Sequence, residues 1–274
     1  MNAAESLVVG LEKVIDVDAH EGPVYVADEH ALYFTSFPRP RPHVAIRRLD
    51  LDTGVVTTVV DEANAANGMA VDRDDSLVVC EQGTRMSDAR ISRLDLHTGA
   101  RETVVDSYRG LPLSSPNDVV VASDGSIWFT DPSYGYLQGF RPPPQLPDAV
   151  YRFGEGELER VADGFEKPNG LVFSPDERTL YVGDSEACLV YAFDVVGDRV
   201  ENERLFTEIA PGYPDGIKVA PDGRVFSSYA DGIAMFDPQG ERVGEIELPG
   251  AVNFAFGDAL YITTDTAVWA AKGA

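Results

Sequence analysis

Six polar residues stand at the same place in six copies of one phrase. They are Glu21 in "EGPVYVADEHALYFTS", Asn67 in "NGMAVDRDDSLVVCEQ" and Asn117 in "NDVVVASDGSIWFTD". The others are Asn169 in "NGLVFSPDERTLYVGD", Asp215 in "DGIKVAPDGRVFSSY" and Asn253 in "NFAFGDALYITTDT". Their positions are 46, 50, 52, 46 and 38 residues apart. Two carboxylates and several amide oxygens brought together would form a hard, all-oxygen site for Ca²⁺, Mg²⁺ or Mn²⁺ rather than for a soft metal. Glu21 and Asp215 would neutralise a divalent charge, and the amides would add dipoles without charge. Converging carboxylates with no cation would repel each other and resist ionisation. Asn and Asp also open strands by closing Asx turns. A turn accounts for one copy, but not for a fixed polar position in every copy.

The elements that must position these residues follow from the same repeats. Each copy reads as two short strands joined by an Asp/Gly-rich turn, the hairpin pattern. Most continue into a second pair, such as "AIRRLDLDTGVVTTVV" and "ISRLDLHTGARETVV". Four strands in a unit of roughly 40–50 residues is the pattern of a propeller blade. The expectation is one all-β domain over residues 1–274, a six-bladed β-propeller with four antiparallel strands per blade. The last copy is short, and the N-terminal "ESLVVGLEKVID" is expected to supply its fourth strand and remove an open sheet edge. The first strand of each blade lines the channel, so the six polar residues should ring one end of the axis. Strand alternation should turn His20, one residue before Glu21, to the opposite side.

Loops after the second strands share that end. They bring Gln82 and Arg85 ("CEQGTR"), Asp131 and Tyr134 ("FTDPSYG") and Ser185 ("GDSEA") to the rim. With Asn67 and Asn117, Gln82, Arg85, Tyr134 and Ser185 are the expected substrate-binding groups. Residues 133–149 hold four prolines and read as a partial lid. Arg39 and Arg41 in "FPRPRP" are expected to solvate a stiff loop. Cys80, inside "SLVVCEQ", reads as core rather than nucleophile. No GxSxG occurs, so Ser–His–Asp chemistry has no support.

Composition narrows the partners. The 274 residues carry a formal net charge of −24, which argues against nucleic acid and anionic membranes. No apolar run approaches the length of a membrane helix. Two cysteines without a CxxC, and an N-terminal stretch with no basic leader before an apolar block, give the expectation of a reducing cytoplasm.

"EGP", "SPNDVVV…WFTDPSYG", "KPNGLVFSPDERTLYVGDS" and "YPDGIKVAPDGRVF" resemble the senescence marker protein/gluconolactonase family, which includes regucalcin and bacterial lactonases. The likeness runs from Glu21 to about Thr264 and is strongest to the sugar-lactonase branch. It implies a six-bladed propeller with one catalytic divalent cation on its axis, Ca²⁺ first, with Mg²⁺, Mn²⁺ or Zn²⁺ as alternatives. It assigns metal ligands to Glu21, Asn169 and Asp215, and places Asn117 on metal or substrate. Asp215 is also the general base that the resemblance implies. Two positions depart from the pattern: Ser115 stands where regucalcin-like members have Arg, and Gln82 where many sugar-lactonase relatives have His. Both concern substrate.

The implied activity is metal-assisted hydrolysis of a small sugar lactone, with polarised carbonyl and activated water. Asp215 receives the proton, and Asp131 is the second candidate base or its support. The same scaffold and site would also suit an organophosphate or phosphotriester hydrolase. A Ca²⁺-binding interaction propeller is the non-enzymatic alternative.

Overall fold

The computed structural model describes residues 10–38, 40 and 42–273. Arg39, Arg41 and the first nine residues lie outside them, so the expectation for the two arginines is not addressed. Six four-stranded antiparallel sheets form the six blades of a propeller. Their first strands are Val24–Val26, Ala66–Val71, Val119–Val121, Pro168–Phe173, Ile217–Val219 and Ala251–Phe256. Each touches the first strand of the blade before it and the blade after it, and the last touches the first, so the ring is closed. Among the described residues no helix is long and apolar enough to cross a membrane.

Closure follows the expected route. The strand Gly10–Asp16 pairs antiparallel with Ala267–Lys272 and completes the sixth blade from outside. The sixth blade is thus drawn from both ends of the described chain. Second strands are wholly buried in five of the six blades, because each is covered on both faces by neighbouring blades. Alternate residues of one strand consequently enter two different cores. Phe34 packs with Val268 and Tyr261 between blades 6 and 1, while Tyr33 packs with Met69 and Leu77 between blades 1 and 2. Cys80 is fully buried in such a core, which pushes its thiol pKa up and leaves it inert.

The polar residues sit where the ladder breaks. Pairing shifts register between Ala66 and Met69, between Pro168 and Leu171, and between Ala251 and Asn253. Glu21, Asn117 and Asp215 lie just ahead of the strands that begin at Val24, Val119 and Ile217. Released from the ladder, these backbones bond to the neighbouring blade instead. Gly170 N–H donates to Asp215 O at 3.2 Å. A Cβ at Gly170 would lie 2.3 Å from that oxygen, so only glycine allows the approach. Hydroxyls near the ends of the second strands hold the same backbone: Thr35 donates to Glu21 O at 2.9 Å, and Thr130 to Asn169 O at 2.7 Å. Ser228 donates to Val252 O and Thr263 to His20 O, both at 2.6 Å.

Candidate active site

A cavity of about 310 Å³ opens at the end of the channel where these residues converge. Glu21, Asn67, Asn117, Asn169 and Asp215 line it, as do Gln82, Tyr134 and Ser185. Eight of the ten residues expected at the site or its rim therefore line it, and Asp131 and Arg85 do not.

Glu21 and Asp215 face each other within hydrogen-bonding reach. Burial raises the proton affinity of both, and for Glu21 the charge of Asp215 adds to the rise. Asn253, which sequence alignment placed in the ring, acts from behind: its Nδ2 donates to Glu21 Oε2 at 2.8 Å. Its own Oδ1 accepts Phe254 N–H at 2.8 Å, so the amide can sit only one way round.

The orientation of Asn169 is fixed by similar reasoning. Ser185 has one hydroxyl proton, and it goes to Pro214 O at 2.7 Å. Ser185 Oγ must then accept from Asn169, whose Nδ2 lies 3.0 Å away. The carbonyl oxygen of Asn169 is left for the cavity side. Two carboxylates and an amide oxygen directed into one buried space are the donors a hard divalent cation takes. Among the described residues no group of three or more His, Cys, Asp and Glu could hold a metal, so a cation here would need amide as well as carboxylate oxygens. Residues and cation therefore fit.

Around this set, Asn67 donates Nδ2 to Asn117 O at 3.1 Å, tying blade 2 to blade 3. Burial raises the phenol pKa of Tyr134, so it remains a hydrogen-bond donor at any working pH. Residues 133–149, expected as a lid, form a fixed wall. A short helix, Tyr134–Leu137, leads to Gln138 and Phe140 on the cavity surface. The buried Arg141 then donates to Ser114 O and Leu113 O at 3.1 Å and to Thr84 O at 2.9 Å, joining three loops.

Asp131 does not reach the cavity lining. It is fully buried, and its two oxygens accept the backbone N–H groups of Ser114 and Ser115 at 2.8 and 2.7 Å. Burial pushes its pKa up to about 7 against the pull of those two donors. Asp184 does the same one blade later, accepting from Glu166 and Lys167 N–H, both at 2.8 Å. Both aspartates end a second strand, and both clamp the segment that leads to a ring asparagine, Asn117 or Asn169. The base role expected as an alternative for Asp131 is corrected to that of a clamp. Arg85 is corrected too: it is exposed, and its Nε donates to Gly139 O at 3.1 Å, outside the cavity lining.

His20 lines the cavity, against the expectation that it turns away. Alternation holds only for extended strand. Residues 17–23 are not strand, and Gly22 turns with φ +57°, so consecutive side chains reach one space. Tyr213 and Glu186 also border the cavity. Their loops, next to Pro214 and Ser185, could have suggested them.

The fold has close counterparts. The structure of a gluconolactonase from Xanthomonas campestris is similar with a TM-score of 0.86 at 36% identity, covering 98% of this chain and 91% of that one. A gluconolactonase from Zymomonas mobilis is 32% identical over 84% of this chain and 70% of its own length. A pentonolactonase from Haloferax volcanii is 29% identical over 92% of this chain and 84% of its own. Residues 19–266 match the SMP-30/gluconolactonase/LRE-like region, which takes in the first five blades, the inner two strands of the sixth and every group of the cavity described above. The chain belongs to the SMP-30/gluconolactonase/LRE-like family.

Proposed function

We propose that the protein is a divalent-metal-dependent hydrolase of small sugar lactones. The observation that carries this reading is the adjacent pair of carboxylates, Glu21 buried and Asp215 partly buried, on a cavity wall with Asn117 and Asn169. The gluconolactonases and the pentonolactonase among its relatives support the substrate class.

Glu21, Asn169 and Asp215 would hold the cation, with Asn117 at its edge; the all-oxygen set favours Ca²⁺. A cation there would polarise the lactone carbonyl and make a nearby water more acidic. Asp215 accepts the proton of the attacking water through the carboxylate oxygen that does not hold the cation. Water oxygen bonds to the carbonyl carbon, the ring C–O bond breaks, and the proton passes to the departing alkoxide. The product is the open hydroxy acid. Asn117, Gln82 and Asn67 orient the substrate through amides, and Tyr134 donates its hydroxyl to a substrate oxygen. Dissolved relatives of the substrate that lack a lactone ring are not opened by this chemistry.

The test is a pH-drop assay over a lactone panel, because opening any lactone releases a proton. Rates should rise on adding Ca²⁺ to chelator-treated protein. Lack of hydrolysis of every lactone at saturating Ca²⁺, Mg²⁺ and Mn²⁺ would reject the reading.

A further inference from the structure

We propose that His20 is a specificity residue, which accepts a hydrogen bond from a lactone hydroxyl on the carbon next to the carbonyl. This rests on the lactonase reading above. His20 Nδ1 lies 2.8 Å from Asp265 Oδ1, and Asp265 is not part of the cavity lining. A carboxylate oxygen only accepts, so in the neutral ring the proton sits on Nδ1. Nε2 then carries a lone pair, on the edge of the ring away from Asp265. His20 borders the cavity, so that edge is the one a substrate meets.

The ring is held firmly. The backbone of His20 donates to Thr35 O at 2.8 Å and accepts from Thr263 Oγ1 at 2.6 Å, which pins it between blades 1 and 6. Phe37 packs against the imidazole edge to face, with ring centres 5.2 Å apart. Pro38, Pro42 and Val44 of the same blade continue the wall and offer no side-chain acceptor. Apart from the carboxylate of Glu21, which the cation would engage, His20 is the side-chain acceptor that blade 1 offers among the described lining residues. It is also the neighbour of Glu21 in the chain, so a hydroxyl that reaches it lies close to the reacting carbonyl. A lactone with a hydroxyl at that carbon satisfies Nε2, and a deoxy lactone leaves a buried acceptor without a donor.

The experiment compares D-glucono-1,5-lactone with its 2-deoxy analogue in wild type, His20→Ala and His20→Gln. The wild type should prefer the hydroxylated lactone by about tenfold in kcat/KM, the worth of one such hydrogen bond. In His20→Ala that ratio should collapse towards one. His20→Gln, which keeps an acceptor oxygen, should recover part of it. Calorimetry with the two corresponding lactams, which resist hydrolysis, should show the same ratios in Kd. An equal loss on both lactones in His20→Ala, or a ratio that survives the substitution, would overturn the inference alone. A wild type inactive on both lactones overturns the lactonase reading, and this inference with it.

Discussion

The carboxylates on the axis and those in the surrounding clamps are both drawn away from solvent, Asp215 only in part, yet they live under opposite conditions. Asp131 and Asp184 each receive one backbone N–H per oxygen, and Glu81 receives Ser92, Asn64 and Arg90. Glu21 and Asp215 instead meet at the wall of a cavity, with burial and, at Glu21, the charge of Asp215 opposing ionisation. Burial by itself does not separate the two groups, since Asp131 and Asp215 both have raised proton affinity. What separates them is what their oxygens meet. Glu21 takes one amide donor, from Asn253, and with Asp215 borders a cavity where a cation or a proton can be held; Asp131 and Asp184 have a backbone donor on each oxygen and hold a loop.

The sharpest way to break this comparison is Asp215→Asn. It keeps the shape and one oxygen but removes a charge and the base. We expect kcat at saturating Ca²⁺ to fall by about 10²–10⁴-fold. The melting temperature should hold or rise, because a buried repulsion is removed. Near-normal turnover at saturating cation would show that the proton goes elsewhere. Glu21→Gln should weaken Ca²⁺ binding in calorimetry and be rescued in part by excess cation.

The scaffold should respond in the reverse way. Deleting the chain through Asp16 removes the outer strand of the sixth blade, with Leu11 and Ile15 and the pairing to Ala267–Lys272. Melting should fall by on the order of 10 °C, from several kcal/mol of lost burial and pairing. An unchanged melting curve would mean that the ring closes without this strand. Asp131→Asn is smaller and more pointed. One of its two backbone donors would face an amide N–H₂ and lose its acceptor, at a cost of about 1–3 kcal/mol. Its kcat should drop by less than tenfold. A thousandfold loss of kcat without loss of stability would return Asp131 to the candidates for base.

The blades were legible because period-two strands and Asp/Gly turns repeat, and because a polar residue marks the same point in each copy. Glu21, Asn117, Asn169 and Asp215 could be found by aligning the chain with itself. The role of Asp131 was within reach of the same method: "WFTD" and "YVGD" end equivalent strands, and one role for both aspartates was the economical reading. His20 was not legible, since alternation fails at a turn whose geometry is set by the blade beside it. A Cβ at Gly22 would lie 2.4 Å from Asn67 O, a contact 45 positions away in the chain. Arg85 was misplaced because loop membership says which end a residue is on, not which way it points. Its partner, Gly139 O, belongs to another blade's loop.

The seam between blades 6 and 1 gives the smallest test, and it asks whether engaged carboxylates stabilise the ring in proportion to their donors. His30 Nδ1 lies 2.7 Å from Asp52 Oδ1, and its Nε2 lies 3.4 Å from Asp258 Oδ2 across the seam. Both contacts are donor bonds only when the ring carries two protons. The bond to Asp52 is the main cause of a raised His30 pKa, and Asp258 adds to it. A histidine whose folded pKa exceeds its unfolded value of about 6.5 stabilises the fold fully below that value. The contribution is lost as pH rises through the folded pKa. His30→Ala should therefore lower the melting temperature more at pH 6 than at pH 9, where the two proteins should converge. The gap should be small even at pH 6, because the pair is open to solvent, and it should shrink further in high salt. A gap that is the same at both pH values would show that the imidazole acts by packing alone, edge-on to Tyr25 with ring centres 6.2 Å apart. The carboxylates at the seam would then contribute nothing to closure.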